Sequence, residues 1–318
     1  MEIKKFTLDY TDKWDDFVNN YSLNGTIYHT RKFLNYHNEK FIDTSILIYN
    51  NNNLVCVVPC CLSNGINFSH KGATYGGPVL TKNKLYVHEI ENIINMIFDY
   101  YDNKFECRMA NDIYFEEPIN MLYYMIGKKL NIKLELSWYI KSGTNLIENI
   151  TNKRNKDNLI KMSQNPNYKF YSTTDTYDYM MYYDILKKNL VTNHNSNPTH
   201  TLEEFIHIKD ILGYKQELFI VKNIIDNIIL AGVYVIKVTD ICWYTFYITR
   251  NIDIKNSGIM VIYIMNQISE IAKENNIKYV DYGISTENTG MILNIGLSEF
   301  KNDSLGGLPN YRYLMISK

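Results

Sequence analysis

Residues 45–62, SILIYNNNNLVCVVPCCL, and residues 218–238, LFIVKNIIDNIILAGVYVIKV, decide how this chain folds. Each reads as an apolar, β-branched strand, a polar turn and a second apolar strand, which is the pattern of an antiparallel hairpin. The first strands open at Ser45 and Leu218, 173 residues apart, and the second at Leu54 and Ile228, 174 apart. The register persists downstream. YVHEIENIINMIFDY (86–100) has apolar residues at helical spacing and leads into KFECRM at Lys104. GIMVIYIMNQISEIAKEN (258–275) does the same before IKYVDYG at Ile277, again 173 residues on. Each copy also opens with a helical candidate: residues 12–21, with Trp14 and Phe17 on one face, and 177–190, with Tyr179, Met180, Tyr183 and Leu186. Elements in matching order at nearly constant separation predict two tandem copies of one α/β unit, each an α+β mixed sheet with flanking helices. The apolar pattern lapses at the basic TNKRNKDN near Thr144–Lys156, which places the domains at residues 1–150 and 151–318.

Size and composition agree. A chain of 318 residues suits two domains at roughly 150 residues each. Lys plus Arg number 33 against 34 Asp plus Glu, so no global field attracts polyanions, and a nucleic-acid coat protein is disfavoured. A hydrophobic content of 46% is enough to bury a core. No apolar run reaches the roughly 18 residues of a membrane span, and MEIKKFTLDYTDKWDD lacks a signal peptide's apolar centre. The chain is therefore expected to be soluble and cytoplasmic. Its five cysteines are odd in number, set among Val, Leu and Ile, and lack the spaced pairs of a zinc site. Reduced core thiols and no metal are expected. The wealth of Asn, Ile, Lys and Tyr reads as an AT-rich coding bias, with runs such as Asn50–Asn53 serving as hairpin turns.

Three features carry candidate chemistry. Strand CWYTFYIT, loop RNIDIKNS and a helix opening at Gly258 resemble an anion site, since helix-start N–H groups and the helix dipole favour negative charge and Gly admits a diphosphate. Arg250, Lys255 and Ser257 lie in that loop; a single Gly there is also common in loops that bind nothing. Next, DYGISTENTGMILNIGLSEFKNDSLGG (281–307) holds five of the 15 glycines just past a strand end, where α/β sheets place ligands. Within it, Asp281 ends a strand and Asn288 lies in the loop. Lys301 is a cation available to phosphate or an oxyanion, against the ordinary alternative of a solvated lysine. The histidines come third. His200 directly precedes Thr201, which with Glu204 forms a capping box and so a helix start. His29, in YHTRKFLNYH, and His70, before KGATYGG, are equally readable as structural histidines. GxSxG, Walker, HExxH and GxGxxG motifs are all absent from the sequence.

Taken together, IYHTRKFLNYHNEKF, the hairpin ending VVPCCL, SHKGATYGGPVL, Pro198-Thr-His-Thr201, and DYGISTENTG through FKNDSLGG resemble the FemAB-type, tandem GNAT-fold acyltransferases, and most of all their polysaccharide-biosynthesis branch. The likeness spans nearly the whole chain. It implies two GNAT domains and acyl transfer onto an amine, with acetyl-CoA as donor in GNAT enzymes and aminoacyl-tRNA in Fem ligases. Lys301, in the FK…GG segment, matches a lysine implicated in Fem-type transfer. The stretch Lys255–Met260 keeps one glycine of the GNAT Arg/Gln-x-x-Gly-x-Gly/Ala loop and has Met260 in place of the second small residue. No long charged helical arm for tRNA is visible. The expectation that follows is an acetyl-CoA-dependent N-acetyltransferase acting on a nucleotide-linked amino sugar. Its rivals are a Fem-like aminoacyl transferase and a catalytically silent binding module. His200 or Asp281 is the expected proton acceptor, and Lys301 the oxyanion partner. Arg250, Lys255, Ser257, Gly258 and Asn288 are the expected cofactor contacts. His29, His70, Tyr75, Gly76 and Tyr244 are the expected acceptor contacts.

Overall fold

The computed structural model describes every residue except Asn149 and Thr151, together with all side chains but those of residues 37–39. The expected domain division between 150 and 151 falls on Thr151, outside the described residues. Two compact units emerge. Unit 1 comprises residues 1–136, 286–293 and 311–318, and unit 2 comprises 137–285 and 294–310.

In unit 1, the first hairpin forms as β1 (Ile46–Asn50) and β2 (Asn53–Val58). Asn51 and Asn52 turn it with φ of 49° and 67°, the left-handed conformation that two-residue hairpin loops require and Asn tolerates. Glu2–Lys5 and Val79–Leu80 flank the pair in one antiparallel sheet. The strands are apolar at successive positions because both faces are covered. Ile46, Ile48, Cys56 and Val58 join a cluster with Ile93, Ile97 and Phe98, whereas Leu47, Tyr49 and Val57 meet Trp14 and Phe17. Fully burying each such side chain contributes about 1.5–3 kcal/mol. Further along come β3 (Ile66–Ser69), helix α1 (Val87–Tyr100) and β4 (Phe105–Met109).

Unit 2 repeats the plan. Helices α2 (Thr176–His194) and α3 (Leu202–Leu212) precede β5 (Gln216–Asn223), β6 (Ile228–Lys237) and β7 (Cys242–Arg250). Helix α4 (Ser257–Glu274) then crosses to β8 (Tyr279–Ile284). β5, β6 and β7 pair antiparallel, and β7 pairs β8 in parallel. Ile259, Met260, Ile264, Met265 and Ile268 bury one face of α4. The inner face of α2 is Tyr179, Tyr182, Tyr183 and Leu186; Met180, expected there, is 44% exposed, and Tyr182 takes its place at the i+3 position.

The strongest sign of duplication is a pairing detail. In unit 1, residues 67–69 of β3 run parallel to 105–107 of β4, and in unit 2, 242–244 of β7 run parallel to 279–281 of β8. Both parallel ladders stop after three pairs. Among the described residues, no helix is long and apolar enough to cross a membrane, and no cluster of three metal-ligating side chains occurs. All five cysteines are buried, and none forms a disulfide.

The helical candidate at 12–21 is a short helix, Thr11–Asp16, running into a wider turn, Phe17–Tyr21. The indole of Trp14 donates to the carbonyl of His29 (2.8 Å). His29 itself is buried, its Nδ1 accepting from the Thr26 N–H (3.0 Å), and burial lowers its pKa from 6.5 to about 4. The unfolded chain takes up this proton near pH 6.5 and the folded chain does not, so stability is complete above that value and declines as pH falls toward 4. The full effect is of order a few kcal/mol. Thermal melts at pH 7.5 and 5 should show a larger loss for the wild type than for His29→Gln, which keeps an acceptor without a titrating group.

Candidate active site

The site grows from the segment that sequence reading singled out at its glycines. Helix α5 (Ile295–Glu299) is capped by Asn294, whose side chain accepts from the Leu297 N–H (3.0 Å), and runs on into a wide turn, Phe300–Ser304. This segment is inside out. Ile295 and Leu297 face solvent at 63% and 37% exposure, whereas Ser298 and Lys301 are buried. Apolar burial within α5 therefore does not hold it; the wholly buried Leu305 just beyond it and polar contacts do. Lys301 Nζ donates to the carbonyls of Gly283 (3.0 Å) and Ile284 (2.7 Å) at the C-terminal end of β8. The Tyr282 hydroxyl donates to Leu305 O (3.2 Å), and Gly307 N–H to Lys301 O (2.9 Å). A Cβ on Gly307 would lie 2.6 Å from that same oxygen, which explains the glycine.

Asp281 shapes the strand end that Lys301 grips. Its carboxylate is wholly buried, with Oδ1 accepting from Ser137 Oγ (3.1 Å) and from the Gly283 N–H (2.7 Å). The β8 register shifts between Asp281 and Gly283, and Gly283 adopts φ of 71°. Close approach adds a second demand for glycine, since a Cβ there would meet the Tyr244 hydroxyl at 2.9 Å. Tyr244 thus stands beside the carbonyl to which Lys301 is bound.

From Tyr244 a half-exposed aromatic wall leads to His200. Tyr244 and Phe246 have ring centroids 5.9 Å apart, and Phe246 lies 5.4 Å from the His200 ring. His200 Nδ1 is 3.0 Å from the Tyr247 hydroxyl, and its carbonyl accepts from the Tyr183 hydroxyl (2.8 Å). The capping box foreseen at Thr201 and Glu204 forms, with reciprocal bonds of 3.2 and 2.9 Å. His200, Asp281 and Lys301 all belong to unit 2: Lys301 grips the strand end that the buried Asp281 shapes, and ring contacts run from Tyr244 beside that strand end through Phe246 to His200.

The start of α4 is the segment expected to meet a diphosphate. The Arg250 stem lies over Gly258, where an added Cβ would be 3.2 Å from it, and Lys255 is exposed in the loop. An 18-residue helix directs its dipole at the same point. Ser257 is turned away, its hydroxyl donating to Asn251 O (2.6 Å), and the Ile259 N–H is bonded to Asn256 O (3.1 Å). Arg250, Lys255 and the Gly258 backbone thus lie together at this helix start, and the Ser257 side chain is turned away from it. Asn288 is an exposed turn residue of unit 1 with φ of 47°.

His29, His70, Tyr75 and Gly76 also belong to unit 1. Tyr75 is 1% exposed, among Tyr28, Tyr114 and the Arg312 guanidinium. Gly76 is packed so tightly that a Cβ would come within 2.1 Å of Ser69 O. His70 borders a cavity of about 280 Å³ with Arg31, Asn35, Phe41 and Asp43. The loop from His70 to Pro78 has a further effect. Gly76 N–H donates to Arg108 O (2.8 Å) just beyond the last β3–β4 pair, so in unit 1 the chain itself fills the gap between the parting strands.

Sequence reading missed Phe246, Tyr247 and Ser137. The first two sit in the run YTFY, where a register shift in the β6–β7 ladder breaks the alternation that would have assigned them a face. Ser137 reaches Asp281 across 144 residues, and no local pattern announces it.

No family model matches the chain, and no curated protein matches it in sequence. Solved structures do. FemX superposes with a TM-score of 0.67 over 99% of this chain and 97% of its own, at 12% identity. The tandem GNAT protein from the clavulanic acid biosynthesis pathway gives 0.51 over 100% and 98%, at 9% identity. The chain has the tandem GNAT fold. L-PGS from Bacillus licheniformis, at a TM-score of 0.57 and 11% identity, covers 86% of this chain and 84% of its own.

If Lys301 is the bolt of the α5 segment, Lys301→Met should remove the donor from one buried and one part-buried carbonyl and cost about 2 kcal/mol. Urea unfolding read by fluorescence checks this. An unchanged midpoint would mean that the segment is held by something else.

Proposed function

We propose that the chain is an N-acyltransferase whose chemical centre is the parting of β7 and β8 in unit 2. The observation that carries this reading is Lys301 at the Gly283 bulge, with Tyr244 against Gly283 and ring contacts running on through Phe246 to His200; the helix start at Gly258, with Arg250 and Lys255, supports it. The donor is acetyl-CoA, its phosphates held by Arg250, Lys255 and the backbone at Gly258. The acceptor is the free amine of a nucleotide-linked amino sugar used in polysaccharide assembly, for which Tyr244 and Phe246 offer ring faces. Bound acetyl-CoA supplies the activated carbonyl. The amine nitrogen forms a bond to that carbon, the carbon–sulfur bond breaks, and the nitrogen's proton ends on the departing sulfur. Lys301 lends positive charge near the tetrahedral oxyanion. Of the two proton acceptors suggested by the sequence, Asp281 is sealed beneath the sheet surface, and His200 is the one on a half-exposed wall.

A second reading is aminoacyl transfer of the Fem type. It is favoured by the inward-turned Ser257 hydroxyl and by the buried Met260 where a second small residue would open the phosphate loop. The chain filling the unit 1 gap supports one donor site per molecule under either reading.

Mass spectrometry after incubation with acetyl-CoA and a panel of UDP- and dTDP-amino sugars should detect a product 42 mass units heavier, the mass of an acetyl group replacing hydrogen. Calorimetry should give about one acetyl-CoA per chain, and Lys301→Met should slow turnover by about 10²-fold. Product formation from charged tRNA alone would establish the second reading. Absence of both products and of donor binding at millimolar concentration would leave a silent binding module.

A further inference from the structure

The duplicated hairpins allow a comparison within one chain. In unit 1 the turn between β1 and β2 is Asn51 and Asn52, polar residues exposed to water. In unit 2 the turn between β5 and β6 is longer and carries Ile224 and Ile225, which are 48% and 73% exposed. Neither isoleucine side chain makes the turn. The Asn223 side chain accepts from the Ile225 N–H (3.1 Å) and donates to Asp226 (2.9 Å), and Asp226 accepts from the Ile228 N–H (3.2 Å). Asn227 completes the reversal with φ of 62°. Polar groups thus hold a backbone that presents two large aliphatic side chains to solvent.

That turn is tied to a basic surface. The Ile224 N–H donates to Asn167 O (2.9 Å), four residues beyond the helix Lys153–Ser163. The helix carries Lys153, Arg154, Lys156 and Lys161 against one acid, Asp157, and buries Leu159 alone. Its first turn is cationic, although the positive end of a helix dipole opposes cations there. Among the described residues, none of the four has an ion-pair partner. Ile160, 41% exposed, shares the outer face with Lys153, seven residues and nearly two turns before it. Exposed Lys169 follows on the strand Tyr168–Thr173, whereas the neighbouring Lys222 is neutralised by Asp178 (2.8 Å).

We propose that this part of unit 2 is a docking surface for an anionic lipid bilayer, with Ile224 and Ile225 entering the interfacial layer and Lys153, Arg154, Lys156, Lys161 and Lys169 facing the head groups. The chain as a whole has a net charge of -1, so these five cations are a local excess and not part of a general basic field. Charge complementarity calls for an anionic partner, and the isoleucines select which one. A nucleic acid would set its phosphates against aliphatic side chains and leave them unburied. A bilayer takes both groups at once, with phosphates at the surface and acyl chains beneath. Docking of this kind is peripheral, involves no spanning helix, and does not depend on which acyl donor the chain uses.

Two measurements on the full-length protein test this, and neither needs a substrate, so they stand or fall apart from the proposed reaction. In cosedimentation, the protein should bind vesicles of phosphatidylglycerol and phosphatidylcholine, bind vesicles of phosphatidylcholine alone at least tenfold more weakly, and be released as salt is raised. Ile224→Asn with Ile225→Asn, which copies the unit 1 turn, should weaken the partition by about tenfold, as should joint replacement of Lys153, Arg154, Lys156 and Lys161 by Gln. Both sets lie on the exposed surface, and an unchanged thermal midpoint will show that the fold is kept. Tryptophan fluorescence supplies the second readout, because Trp14, Trp138 and Trp243 are buried. The emission of Ile225→Trp should move to shorter wavelength on addition of the anionic vesicles and stay in place with phosphatidylcholine alone. Equal binding to both kinds of vesicle, binding untouched by either set of substitutions, or an unmoved emission would each overturn the proposal. Binding of transfer RNA lost in the Gln variant, without vesicle binding by the wild type, would overturn it in favour of a polynucleotide contact.

Discussion

A buried ammonium clasped by two consecutive backbone carbonyls is the interaction on which the candidate site depends. Lys301 Nζ, bonded to Gly283 and Ile284, fastens a segment that has no apolar inner face of its own. A lysine is an expensive choice for a bolt, since desolvating its charge costs several kcal/mol unless strong acceptors replace water. Carbonyls at a strand end answer that need. The same bonds draw positive charge to the mouth of the sheet, so structural anchoring and the proposed electrostatic role reside in one atom.

The geometry around that clasp is cut to fit. Asp281 holds the Gly283 amide, Gly283 bends into a conformation that L side chains resist, and the absent Cβ admits the Tyr244 hydroxyl. Substituting any one of the three disturbs the other two, and the carbonyls that receive Lys301 would shift with them.

How much of this was legible in the sequence depended on the range of the forces involved. The paired hairpins, the helix after each and the capping box at Thr201 are local patterns, and all were readable as residues in a row. Lys301 and His200 stood out through glycine density and helix-start grammar. The partners that give them their geometry did not. Ser137 reaches Asp281 from another strand, and Tyr247 meets His200 across 47 residues. The β7 bulge turns Tyr247 out of the strict alternation on which a strand's faces are read. Exposure was the other blind spot. Tyr75 and Gly76 sit in a motif rich in ring and glycine, which invites a ligand reading, yet the same composition serves close packing.

The loop from His70 to Pro78 carries a consequence for how such chains diversify. Duplicated folds begin with two equivalent crevices, and here one of them is stoppered by a short excursion of the chain's own backbone at Gly76. In this architecture the length of a single surface excursion decides whether a crevice between parting strands stays open. The glycine is what seats that plug, because a side chain there would strike the backbone of Ser69.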